Sequence, residues 1–138
     1  MYQPGISVLK EAITATESGA VHAMHDPTEG GLATALHELA WAADVGLQLN
    51  AEMVPVFAET QSLCNHYHLD PLGLIASGAL LIVTPLVEAE KIIAALKREA
   101  IPATVIGEIT GKSQGVKMLT ADGLHNLPRY EQDELTKI

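Results

Sequence analysis

Short apolar segments alternate with amphipathic helical segments along most of this chain, and the alternation restricts the fold class. Two strand–helix–strand segments follow one another, over residues 20–50 and 79–110, with an additional helix predicted over residues 55–68. The helical parts repeat apolar residues at three- and four-residue spacing, whereas the strand parts are short apolar runs. The pattern predicts an α+β domain with layered helices on a mixed, mainly antiparallel sheet of partial ferredoxin-like topology.

The same pattern predicts the organisation of the chain. Residues 1–5 read as a linker and residues 6–128 as one domain. Residues 129–138 form a polar tail, which we expect to be frayed or loosely packed.

Charge excludes several classes of partner. The chain has 8 basic and 17 acidic residues, a formal net charge of −9, which excludes a general nucleic-acid binder and argues against docking on anionic lipid. No apolar run reaches the roughly 18 residues of a membrane span, and a single cysteine, Cys64, fits a reducing, cytoplasmic setting. No Lys or Arg lies between Lys10 and Lys91, so an anion bound there must be held by backbone N–H groups, a metal ion, or a second domain or chain.

The segment with the strongest chemical signal runs from Met24 to Leu32, where a predicted strand leads into a glycine pair that opens a helix. Backbone N–H groups and the positive end of the helix dipole favour an anion at such a point. Gly30 and Gly31 leave room for close approach of a ligand, and Thr28 could donate a hydrogen bond to an oxyanion.

A purely structural interpretation of this segment remains open. The segment resembles a capping box, which needs no ligand. In this interpretation Asp26 is the N-cap, Pro27 is at the first helical position and Glu29 follows two residues later. Two glycines in a first helical turn each cost about 1 kcal/mol relative to alanine, which favours a ligand contact.

Other polar groups carry weaker signals. Cys64, His66 and His68 lack the second ligand pair of a zinc site, and no basic neighbour activates Cys64 as a nucleophile. His37 and Trp41, four residues apart, favour a packing pair or an interdomain surface.

The run Asp26-Pro27-Thr28-x-Gly30-Gly31-Leu32-Ala33-Thr34-Ala35-Leu36 resembles the signature helix of the AIR synthase (PurM-like) superfamily. Similar segments follow in the same order at 69–72, 79–83 and 105–109, so the resemblance covers roughly residues 6–127. Within the superfamily the chain is most similar to HypE-type hydrogenase expression/formation proteins or to an AIR synthase related protein.

The resemblance implies the C-terminal, cleft-forming domain of an ATP-dependent enzyme that activates or phosphorylates a small substrate. It implies substrate or phosphate contacts by Asp26, Thr28, Gly30 and Gly31, and it places Ser77 and Gly78 at the border of the cleft. His25 is a further candidate contact because it lies next to this loop in the sequence. The resemblance assigns no catalytic residue and no metal ligand within this chain. The alternative is a non-catalytic, stand-alone binding or interaction module that keeps the fold.

The resemblance also implies cofactors and partners. ATP and Mg²⁺ would be bound mainly by an N-terminal PurM-like domain of the same protein, and the full-length enzyme would be a homodimer. We therefore expect the isolated chain to be inactive and to bind neither ATP nor Mg²⁺. HypE-type proteins end in a cysteine that receives a carbamoyl group, but here Leu127-Pro128-Arg129 continues into Tyr130. Glu29 replaces a common Arg of the motif, and Ala76-Ser77-Gly78 replaces an Asn-Glu-Gly type of loop. We therefore expect no carbamoyl dehydratase chemistry on a thiol of this chain.

Overall fold

The computed structural model describes residues 5–138, so the predicted linker over 1–5 lies outside the described residues except for Gly5. The chain divides into two compact units. The first contains the described residues up to Pro27 together with Ser77–Val105, and the second contains Thr28–Ala76 together with Ile106–Ile138.

The described part of the chain contains four α-helices and six strands, which alternate up to the fourth helix and end in three consecutive strands. The helices are α1 (Leu9–Ser18), α2 (Gly31–Ala43), α3 (Ala58–Tyr67) and α4 (Leu86–Arg98). The strands are β1 (Ala23–His25), β2 (Gly46–Asn50), β3 (Leu81–Val83), β4 (Gly107–Thr110), β5 (Val116–Thr120) and β6 (Gly123–Asn126). The predicted α+β class is confirmed.

The first unit packs α1 and α4 together beside a two-stranded sheet. β1 and β3 pair antiparallel, with His25 opposite Leu81. The core between the helices is built from Ala15, Ile92 and Leu96, against which Met24 and Ile82 of the sheet pack. Burial of these aliphatic side chains is the main stabilisation of this small unit.

The second unit contains a mixed four-stranded sheet in the order β4-β2-β5-β6. β2 pairs parallel to β5, whereas the β2–β4 and β5–β6 pairs are antiparallel. Leu47 and Leu49 of β2 are buried, as expected for the central part of a sheet. α2 belongs to this unit and buries a stripe of small and aliphatic residues, namely Ala33, Ala35, Leu36 and Ala40.

The strand pairing differs from a simple series of strand–helix–strand segments. β1 pairs with β3, and β2 pairs with β4, so the two strands of each segment belong to different sheets. The sequence pattern does not specify this arrangement, because apolar spacing defines a strand's buried face but not its neighbour. The sheets are mainly antiparallel, as predicted.

Candidate functional site

The glycine pair occupies a loop in which both residues need a left-handed backbone. We call residues 28–31 the glycine loop. Gly30 has φ +75° and Gly31 has φ +64°, a region that residues with a side chain rarely adopt. A Cβ atom on Gly31 would also lie 2.4 Å from the carbonyl oxygen of Leu74. The fold of the second unit therefore requires glycine at position 31 whether or not a ligand binds.

The structure shows that the capping-box interpretation is wrong. α2 begins at Gly31, its N-cap is Gly30, and the N-cap residue supplies no side-chain hydrogen bond. Asp26 lies four residues before the N-cap Gly30 and therefore cannot act as the N-cap itself. The loop is held instead by the carbonyl of Thr28, which accepts hydrogen bonds from the N–H groups of Gly31 (3.1 Å) and Ala76 (3.3 Å).

A carboxylate lies at the start of α2. The N–H of Gly30 donates to Oδ2 of Asp133, with an N···O distance of 2.9 Å. The first N–H groups of a helix have no acceptor within the helix, and the helix dipole favours negative charge beside them. In this structure the start of the 13-residue helix is therefore capped by a carboxylate oxygen of the chain itself.

That carboxylate belongs to residues 129–138, which we call the C-terminal strap. Glu134–Lys137 form a 3₁₀-helix, and Glu134 is only 2% exposed. The carboxylate of Glu134 accepts a 3.0 Å hydrogen bond from the N–H of Asp70 and forms an ion pair with Lys137. The expectation of a frayed tail is wrong, because a buried charged group with satisfied partners anchors these residues.

Tyr130 provides a second anchor for the strap. Its hydroxyl donates to Oδ2 of Asp70, and its ring lies so close to Gly73 that a Cβ atom there would overlap it. Burial and the hydrogen bond to Asp70 raise the pKa of Tyr130 well above its ordinary value, so the hydroxyl stays protonated as a donor. Hydrogen bonding to Lys137 and to the Asp70 N–H lowers the pKa of Glu134, which keeps that anchor ionised.

We expect Tyr130→Phe to lower the free energy of unfolding by about 1.5–3 kcal/mol, the contribution of a hydrogen bond to a charged group. Urea unfolding of the variant and the parent chain measures this difference. Tyr67→Phe is the matched control, because Tyr67 is 47% exposed, and it should change stability by less than about 0.5 kcal/mol. Equal effects of the two substitutions would show that Tyr130 does not anchor the strap.

The remaining predicted site residues belong to the first unit. His25 ends β1, and Asp26 is exposed, with 3.9 Å between Nδ1 of His25 and Oδ1 of Asp26. Ser77 and Gly78 precede β3, whose Leu81 is the partner of His25. Because β1 and β3 are antiparallel, the chain leaves β1 through Asp26 at the same end of the sheet at which it enters β3 from Gly78. Thr28, Gly30 and Gly31 lie in the second unit.

The weaker candidates behave as structural groups. No cluster of three or more potential metal ligands occurs among residues 5–138. Burial, with the nearby charges of Asp70 and Glu134, raises the pKa of Cys64, which is 1% exposed and therefore a poor nucleophile. Trp41 is 85% exposed, whereas Nε2 of His37 donates to the carbonyls of Leu127 (3.2 Å) and Pro128 (3.1 Å). His37 and Trp41 are therefore not a packing pair in the interior.

Sequence comparison identifies the family. The model of the "AIR synthase related protein, C-terminal domain" family matches residues 4–119. The chain belongs to this family. The match includes the glycine loop and ends before β6 and the C-terminal strap.

Relatives of the chain are hydrogenase maturation proteins. It is 38% identical over 106 residues to the carbamoyl dehydratase HypE of Rhodobacter capsulatus, a match that covers 75% of this chain and 31% of the relative. Among solved structures, E. coli HypE superposes with a TM-score of 0.84 and 26% identity, over 94% of this chain and 41% of that one. HypE in complex with ATP gives a TM-score of 0.76 and 33% identity, over 85% and 38% of the two chains.

This chain therefore spans about a third of the length of the curated relatives that it matches. No helix among the described residues has the length and apolar character to cross a membrane.

The residues that sequence reasoning missed all belong to the C-terminal strap. Asp133, Glu134 and Tyr130 lie in a polar segment without helical or strand periodicity. One local signal was present, because Asp133 caps the 3₁₀-helix through a 3.0 Å hydrogen bond from the N–H of Leu135. Such an Asp before a short helix is a recognisable start signal, but it does not indicate where the helix docks.

Proposed function

We propose that this chain is the C-terminal, cleft-forming domain of an ATP-dependent enzyme of the AIR synthase superfamily. In this proposal the glycine loop contacts an anionic group of the nucleotide or substrate, and a preceding PurM-like domain supplies most of the nucleotide site. The contacts predicted for His25, Asp26, Ser77 and Gly78 belong to the same proposal. ATP binding by a solved relative and the family match both support it.

The observation that carries the proposal is the hydrogen bond from the Gly30 N–H to a carboxylate oxygen at 2.9 Å. This N–H donates to an anionic oxygen in front of the helix start. The donor set therefore fits one phosphate or carboxylate oxygen. It does not fit Mg²⁺, because residues 5–138 provide no cluster of metal ligands, so the preceding domain would have to bind the ion.

Charge distribution supports a site shared with another domain. The segment from residue 11 to 90 carries 11 acidic residues and no Lys or Arg. Several phosphates could not be neutralised by this segment alone, because a few backbone donors contribute only partial positive charge. Metal ions and basic groups from another domain would have to balance them. A homodimer of the longer protein is part of the same proposal.

The competing proposal is a stand-alone binding module without catalysis, and one comparison separates the two. Affinity for Mg-ATP is measured first for this chain and then for the same chain joined to the polypeptide encoded directly upstream. An enzyme half gains affinity and ATP turnover when that domain is present. A reading frame that does not continue upstream, or no gain from the added domain, would support the module instead.

We expect no carbamoyl transfer to a thiol of these 138 residues, although relatives are carbamoyl dehydratases. The one cysteine is Cys64, whose burial and raised pKa prevent attack. The chain is incubated with a carbamoyl-transfer partner and ATP and then weighed by intact mass spectrometry. No added mass is the expected result, and a stoichiometric carbamoyl or cyano adduct on Cys64 would contradict it.

A further inference from the structure

The single tryptophan of the chain lies on the surface rather than in the core. Trp41 belongs to α2 and is 85% exposed. Thr34, His37 and Glu38 precede it by seven, four and three residues, so the four side chains share one face of the helix. Exposed apolar residues that are grouped with others, rather than scattered singly, are typical of surfaces that contact another protein or domain.

This face of α2 forms one wall of a cleft of about 360 Å³, and the C-terminal strap forms the other wall. We call it the Trp41 cleft, and its lining consists of Thr34, His37, Glu38, Trp41, Arg129 and Tyr130. All six residues belong to the second unit. Tryptophan, tyrosine and arginine are the residue types that contribute most to binding at protein interfaces. The lining of the cleft therefore has the composition of a docking surface.

The strap wall of the Trp41 cleft is held in place on both sides of Arg129. Nε2 of His37 donates to the carbonyls of residues 127 and 128, immediately before Arg129. The hydroxyl of Tyr130, immediately after it, donates to the carboxylate of Asp70. A surface that is already ordered loses less conformational entropy when a partner binds. The cleft is therefore a preformed surface.

The lengths of the relatives indicate which partner fits this cleft. The superposition on E. coli HypE covers 94% of this chain but 41% of that one, so more than half of the HypE polypeptide lies outside the matched region. A buried tryptophan contributes about 150–250 Å² of contact. An interface between separate proteins needs roughly 800 Å² per partner. A domain on the same polypeptide needs less contact, because its effective concentration is about millimolar.

We propose that the Trp41 cleft is the docking surface for the preceding domain of the longer protein. The indole of Trp41 is the apolar anchor, and Glu38 and Arg129 provide a polar rim of the kind found between domains of one chain. This inference rests on the proposed function, because that function supplies the preceding domain. It adds the surface through which this chain contacts that domain.

Hydroxyl-radical footprinting with peptide mass spectrometry tests this proposal, because it measures the accessibility of each side chain separately. The oxidation rates of Trp41 and Phe57 are compared in residues 1–138 and in the same chain joined to the polypeptide encoded directly upstream. Phe57 is the matched control, since it is an aromatic residue of the same unit, is 82% exposed and does not line the cleft. Cleavage after glutamate separates Trp41, in residues 39–52, from Phe57, in residues 53–59.

We expect the joined polypeptide to lower the oxidation rate of Trp41 at least about fivefold and that of Phe57 less than about twofold. An unchanged Trp41 rate in a joined protein that gains affinity for Mg-ATP would overturn the docking surface and leave the proposed function intact. Equal protection of Phe57 would also overturn it, because general shielding would then suffice. Protection of Trp41 that grows with the concentration of residues 1–138 alone would overturn it in favour of a second copy of the chain. A reading frame that does not continue upstream would overturn the docking surface and the proposed function together.

Discussion

Replacement of Gly31 by alanine is expected to lower the free energy of unfolding by about 2–5 kcal/mol. A left-handed backbone at a residue with a Cβ atom costs about 1–2 kcal/mol. The new methyl group would lie 2.4 Å from the carbonyl oxygen of Leu74 and 2.6 Å from that of Leu72, and overpacking of this kind costs about 1–3 kcal/mol. Both neighbours are backbone atoms, so rotation of a side chain cannot relieve the overlap.

Urea unfolding of Gly31→Ala measures this loss, with Gly111→Ala as the control. Gly111 has φ −65°, and a Cβ atom built on it meets nothing within 4 Å. Alanine at such a position is neutral or stabilises by up to about 1 kcal/mol, because it restricts the unfolded chain. If Gly31→Ala unfolded at the same urea concentration as the parent chain, the described geometry of the glycine loop would be incorrect.

The glycine pair shows how far sequence reasoning reaches. Two adjacent glycines at the start of an amphipathic stripe indicated an unusual helix start, and α2 does begin at Gly31. The sequence indicates room for a ligand as the reason for these glycines, and the geometry adds a conformational reason at both positions. A Cβ atom on Gly30 would lie 2.4 Å from Oγ1 of Thr34, at φ +75°. Substitution at Gly30 therefore affects folding as well as any ligand contact.

Local patterns predicted the helices α2, α3 and α4 and the strands β1 to β4, because each depends on neighbouring residues. The stripe on α4 and the apolar run of β3 are visible without knowledge of the rest of the chain. Pairing of β1 with β3, and of β2 with β4, depends on residues far apart in sequence. No local spacing specifies such pairings.

The C-terminal strap was mispredicted for a related reason. A segment rich in polar and acidic residues is normally solvated, and composition alone indicates a loose tail. Its order comes from Glu134 and Tyr130, which both contact Asp70 about 60 residues earlier. A buried carboxylate is rare and depends on partners elsewhere in the chain, so a single sequence gives no sign of it.

The second large effect that we expect is weak binding of Mg-ATP by this chain alone, because the affinities of a complete nucleotide site and of half a site differ by orders of magnitude. The helix start offers a few backbone donors, each with a net contribution of about 1 kcal/mol. Association alone costs at least about 4 kcal/mol. The net charge of −9 repels a nucleotide at distances up to a Debye length of about 8 Å. The carboxylate of Asp133 already accepts the hydrogen bond of the Gly30 N–H.

Isothermal titration of residues 1–138 with Mg-ATP at physiological salt tests most directly whether this chain is one half of a two-domain site. We predict a dissociation constant of about a millimolar or weaker, equivalent to a binding free energy of roughly −4 kcal/mol. Micromolar binding by these residues alone would place a complete nucleotide site within the chain and would contradict the two-domain account.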